Sequence, residues 1–109
     1  MKKWFFITLG IFIVLLVSCQ KEIQDVVPPT ILGVKDLTYI IGKPEPNYLA
    51  GITAKDNMDG DITYLIEVDT SEVDLTKAGI YAITYLVSDL SNNQSKEDCV
   101  IIVLGTHTP

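Results

Sequence analysis

Asp56, Asn57, Asp59 and Asp61 stand within six residues of one another, and Asp89 opens a second acidic turn further along the chain. Side-chain oxygens crowded in this way are hard ligands, the kind that Ca2+ takes in sets of about six to eight. The spacing is not that of an EF-hand. With Gly60 in the place of the invariant glycine, Lys55 falls at the first ligand position and Ile66 at the last. The same residues also suit turns, because Asp and Asn bond their own backbone two residues on and Asp-Gly takes tight conformations cheaply. Two readings therefore stand side by side: turn chemistry alone, and a weak Ca2+ site.

The remaining reactive residues are not arranged for catalysis. His107 is the single histidine and lies in the C-terminal tail, and there is no arginine, so Ser–His or Cys–His nucleophiles lack a base. Cys99 begins the strand-like run Cys99–Leu104 with only Lys96 as a cationic neighbour, too little to activate a thiol. It is expected as a buried small hydrophobe, with an intermolecular disulfide as the alternative. No enzyme is expected, and no cofactor beyond Ca2+.

Cys19 carries a different chemistry. Lys2 and Lys3 precede an apolar run from Trp4 to Val17, 14 residues long. A bilayer span needs about 20, so the run reads as a signal-peptide core. Leu16-Val17-Ser18-Cys19 resembles the lipobox of bacterial lipoproteins. That resemblance implies a signal peptide over 1–18 and cleavage before Cys19, which carries acyl chains such as palmitate and makes the membrane a partner. Residues 19–27 read as the acylated Cys and a flexible tether. The start of the tether, Cys19-Gln20-Lys21-Glu22, looks like an export tag, which favours surface display on the outer membrane over the periplasm.

Charge narrows the partners. The chain holds 8 Lys+Arg, all of them lysine, against 14 Asp+Glu. Without Lys2 and Lys3 the balance is six against fourteen, a net of −8. Such a domain is ill suited to nucleic acid, whose phosphates call for Lys and Arg. An unknown protein or a glycan is the expected partner.

The elements that position the aspartates are read as strands. Pro28-Pro29 opens the domain stiffly. Strand candidates follow at Thr30–Val34, Leu37–Ile41, Gly51–Lys55 and Ile62–Val68, the last with Ile62, Tyr64, Ile66 and Val68 on one face. A short strand is expected at Val73–Leu75. Ile80–Ser88 places Tyr81, Ile83, Tyr85 and Val87 inward. The final strand precedes a disordered tail over 106–109. No segment after residue 19 holds a helical period, so the fold class is all-β.

Ala78-Gly79-Ile80-Tyr81 resembles the tyrosine corner of immunoglobulin-like domains, with Gly79 turning the chain and Tyr81 returning its hydroxyl to backbone. Taken together, Val27–Ile31, Ala54–Thr63, Val73–Tyr81 and Tyr85–Asp89 resemble the bacterial Ig-like domain of pesticidal crystal proteins and bacterial surface-protein repeats. The resemblance implies an Ig-like β-sandwich over 28–105, with about seven short strands in Greek-key order. Asn92-Asn93 stands where the family has Gly-Asn, and Asn tolerates the left-handed conformation such a position needs. In this fold the loops bearing Asp56–Asp61 and Asp89 fall at one end. The implied function is a lipid-anchored cell-envelope module with a binding, adhesion or spacer role. The alternative is a subunit of an envelope complex, in transport or polysaccharide utilisation, docking by a sheet edge.

Overall fold

The computed structural model describes residues 24–105. The signal segment, the lipobox residues Leu16 to Cys19 and His107 lie outside the described residues. Among these residues seven strands form two sheets. β1 (Thr30–Leu32), β3 (Thr53–Asp56) and β4 (Gly60–Asp61) make one, in the order β1-β3-β4. β2 (Leu37–Ile40), β5 (Glu67–Asp69), β6 (Gly79–Ser88) and β7 (Gln94–Leu104) make the other, in the order β2-β7-β6-β5.

The long β6–β7 hairpin is the spine, antiparallel from Gly79↔Val103 to Ser88↔Gln94. Its period-2 pattern buries Ile83, Tyr85 and Val87 from β6 and Cys99, Ile101 and Val103 from β7. Ile31, Ile52, Ala54, Ile62 and Ile66 complete the core. β2 runs parallel to β7, with Leu37 opposite Ile101. Gly33 (φ +92°) is required where β1 ends, since a Cβ there would stand 2.1 Å from the Gly51 carbonyl oxygen. Cys99 lies in the core, and burial, with Asp36 and Asp98 adding, pushes its thiol pKa up. So placed it packs as a small hydrophobe.

Tyr81 begins the inward face of β6 and donates its hydroxyl to the Lys77 carbonyl at 2.7 Å. A Cβ on Gly79 would press on this phenol at 3.2–3.5 Å, so the glycine leaves the ring its room. The ring itself is only half-buried.

Two expected strands are different. Ile62–Val68 is broken by a 3-10 turn over Thr63–Leu65, and only Glu67–Asp69 remains extended. Asp61 Oδ1 accepts from the Thr63 N–H and hydroxyl, which starts the turn, and Leu65 N–H donates to Ile62 C=O at 2.9 Å. The change of period sends Tyr64 outward, 74% exposed, while Ile62 and Ile66 still reach the core. Val73–Leu75 is a turn region in which Asp74 Oδ1 accepts from Thr76 N–H. Val73 and Leu75 nevertheless pack against the core.

Candidate metal centre

The β3–β4 hairpin turns around Asp56. This residue ends β3 opposite Gly60, and its Oδ2 accepts the N–H groups of Met58 (2.9 Å) and Asp59 (3.0 Å). Gly60, at φ +75°, closes the turn. The β6–β7 loop is built in the same way around Asp89, whose Oδ1 accepts Ser91 N–H (2.8 Å) and Asn93 N–H (2.9 Å). Asn92 takes the left-handed conformation, φ 70°, and lets the chain reverse. A cross-link joins the two loops: Asp59 Oδ2 accepts Leu90 N–H at 2.8 Å.

A third segment enters from before the first strand. Asp25 accepts Val27 N–H on Oδ1 (3.1 Å) and Asn93 Nδ2–H on its backbone oxygen (2.8 Å). The same Asn93 amide donates to Asp89 Oδ2 at 2.9 Å, tying this segment to the β6–β7 loop. The stretch 24–27, expected as flexible tether, is thus in contact with the domain at Asp25.

One carboxylate oxygen from each of Asp25, Asp56, Asp59 and Asp89 lies within 4.8 Å of all the others. Asp56 and Asp89 are buried, at 7% and 4% exposure, and the other two are half-buried. Among the described residues the donors to these carboxylates are backbone N–H groups and the Asn93 amide, with no lysine among them. Asp56 Oδ1 and Asp25 Oδ2 are buried with no hydrogen-bond partner among the described residues. Buried polar oxygens are nearly always partnered, because their desolvation is otherwise uncompensated. Burial, with Asp89 and Asp56 beside it, raises the Asp25 pKa to about 6 against a lowering bond from Val27. Burial acts on Asp89 too, but the bonds from Asn93 and Ser91 outweigh it and hold that carboxyl at about 2.

Of the loop residues expected as ligands, Asp56, Asp59 and Asp89 converge, whereas Asn57 and Asp61 do not join the carboxylate cluster. Asn57 is exposed on the hairpin tip. Asp61 Oδ1 is taken by Thr63 through two bonds, of 3.0 and 2.7 Å, so the residue serves the 3-10 turn. Those bonds, hydroxyl first, hold the Asp61 pKa below the usual carboxylate range. Asp25 is the member that sequence reading missed. It sits in a polar stretch 31 residues before Asp56, with no local pattern to mark it.

Two packed sheets, short strands and the Tyr81 corner define an Ig-like β-sandwich. The family model for the bacterial surface protein Ig-like domain matches residues 29–103, and the chain belongs to that family. Pesticidal crystal protein Cry22Aa of Bacillus thuringiensis is 34% identical over 55 residues, 50% of this chain and 8% of that protein. Among solved structures, the M60 catalytic domain with the CBM51-1 and CBM51-2 domains of Clostridium perfringens ZmpB matches at 31% identity and TM-score 0.61. That match covers 72% of this chain and 8% of the other. The structure of CBM51-2 in complex with GlcNAc and INT domains, also from ZmpB, is similar at 32% identity and TM-score 0.59, over 69% and 16% of the two chains. The lipoprotein BT2262 of Bacteroides thetaiotaomicron shares the fold at 22% identity and TM-score 0.57, over 74% of this chain and 40% of that one. The chain therefore spans less than half the length of each of these relatives.

Proposed function

We propose that this protein is a lipid-anchored, non-catalytic Ig-like module of the bacterial cell envelope, acting as a spacer or adhesion unit. The observation that carries the reading is the match of a bacterial surface Ig-like domain to nearly the whole sandwich, residues 29–103. The lipobox-like Leu16-Val17-Ser18-Cys19 supports the anchor. Among the described residues no helix is long and apolar enough to cross a membrane. From Cys19 to Asp25 is six residues, which reach at most about 20 Å, so the aspartate end of the sandwich faces the bilayer in this reading.

A spacer or adhesion role is favoured over a small-glycan site by the surface. The groove between Leu65, Glu67, Leu86 and Gln94 holds about 200 Å³ and has no aromatic platform. Ligand pockets commonly run to about 300–1,000 Å³. The GlcNAc-bound relative keeps a glycan in view as a partner of the envelope assembly rather than of this groove.

Cys19→Ala in the full chain is the test. Expression with an alkynyl palmitate probe should label the wild type and leave the variant unlabelled and outside the membrane fraction. Label retained on the variant would overturn the anchor. Protease applied to intact cells reads the orientation: degradation is expected for surface display, and full protection would place the domain inside the outer membrane.

A further inference from the structure

We propose that Asp25, Asp56, Asp59 and Asp89 form a Ca2+ site that clamps the segment before the first strand onto the β3–β4 and β6–β7 loops. The inference goes beyond the envelope reading and stands whether or not Cys19 is acylated.

Turn chemistry explains part of this cluster and fails at a definite point. It accounts for Asp56 Oδ2, which accepts two backbone N–H groups, and for Asp89 Oδ1, which accepts two more. It leaves Asp56 Oδ1, on a side chain 93% buried (7% exposed), without any partner, and Asp25 Oδ2 likewise. An ionised carboxylate oxygen is an acceptor only, so with all four aspartates charged the missing partner must be a donor or a cation. Among the described residues none donates to either oxygen, and both residues belong to the four whose carboxylate oxygens lie within 4.8 Å of one another. A cation is the partner that answers both the orphaned oxygens and the clustered like charges.

The geometry fits one ion. Ca2+ ligands stand at about 2.3–2.6 Å, so two oxygens across the same ion are at most about 5 Å apart. The four oxygens here fall within 4.8 Å of one another. An all-oxygen, all-carboxylate set without His or Cys selects hard cations rather than zinc or copper. Ca2+ is favoured over Mg2+ because three independently anchored segments meet irregularly, whereas Mg2+ demands a near-octahedral shell and dehydrates reluctantly. Water completes the coordination on the half-buried side formed by Asp25 and Asp59.

Asp25 lies outside residues 29–103 that match the family model. The effect of the clamp is to fix the direction in which the leading segment leaves the domain.

Calorimetric titration of the full-length protein in detergent micelles, after EGTA treatment and dialysis, tests the site with CaCl2 and MgCl2 as probes. One Ca2+ per chain is expected, with a dissociation constant on the order of 10⁻⁴–10⁻³ M, as in extracellular Ca2+ modules. At ten times that constant the folded-to-unfolded ratio rises about elevenfold, and the melting temperature rises by roughly 6–11 °C. Asp25→Asn and Asp59→Asn should each weaken Ca2+ at least about tenfold, the loss of one charged ligand. Asp61→Asn, whose oxygen serves the 3-10 turn, should leave the affinity unchanged. Asp25 precedes the first strand, so its variant keeps the fold and remains readable. Absence of binding up to 10 mM Ca2+ (about ten times the weakest constant expected), equal response to Mg2+, or unaltered affinity in Asp25→Asn would each overturn the clamp.

Discussion

The two ends of the four-stranded sheet are closed by opposite chemistries. At one end tyrosine hydroxyls meet backbone: Tyr39 donates to Lys43 C=O at 2.6 Å and Tyr81 to Lys77 C=O at 2.7 Å. Each bond is neutral, local and complete. At the other end Asp25, Asp56, Asp59 and Asp89 gather from three segments, and two of their buried oxygens have no partner. A fold under selection only for stability has no reason to leave such oxygens unmet. The contrast sets an end closed by neutral hydrogen bonds against the end at which we propose Ca2+.

The comparison can be broken in several places. The largest effect is expected midway along β6. Tyr85 is fully buried and its hydroxyl donates to Tyr48 C=O at 2.6 Å, pinning the loop that follows β2. Tyr85→Ala should cost about 3–5 kcal/mol in urea unfolding, equally with and without Ca2+. A loss that depended on Ca2+ would mean that the core and the aspartate end are not separate. Next in size is the aspartate end itself. Saturating the site to ten times its dissociation constant should add about 1.4 kcal/mol to the wild type and much less to Asp59→Asn. Smaller again is Tyr81→Phe, about 0.5–1.5 kcal/mol for one net hydrogen bond, again indifferent to Ca2+.

The smallest effect concerns aspartates that are only turn residues. The hydroxyl and N–H of Thr76 hold the Asp74 carboxyl below the usual range, and Ser71 does the same for Asp69. A depressed folded-state pKa means stability present above the ordinary carboxylate value and lost as pH falls through the folded one. Acid unfolding below about pH 4 should therefore be blunted in Asp74→Asn, without change in Ca2+ affinity. An acid profile identical to wild type would show that this turn contributes nothing.

Much of this could be read from the chain. Alternation in Ile80–Ser88 marks the spine of the sandwich, and the Ig-like resemblance implies that the acidic loops share one end. Asp61 and Asp74 carry a sign that distinguishes them from ligands: a threonine two residues on supplies both a backbone N–H and a hydroxyl. In these two turns Asp-x-Thr is a pattern of local satisfaction, and it sets Asp61 apart from the ligand set. The same turn breaks the expected Ile62–Val68 strand, because an alternating pattern and a 3-10 turn can bury the same Ile62 and Ile66. Asp25 was not legible. Its place in the site depends on Asn93, 68 residues away, whose amide holds the leading segment against the loop. Such a contact is set by the packed fold and leaves no periodic trace in sequence.

A crystal structure grown in millimolar CaCl2, with long-wavelength anomalous data, would decide whether the aspartate end is a cation site that includes Asp25. A single anomalous peak is expected at about 2.3–2.6 Å from one oxygen each of Asp25, Asp56, Asp59 and Asp89. An absent peak would show that the aspartate end holds no Ca2+, and a peak with Asp25 turned away from it would show that the leading segment is not clamped.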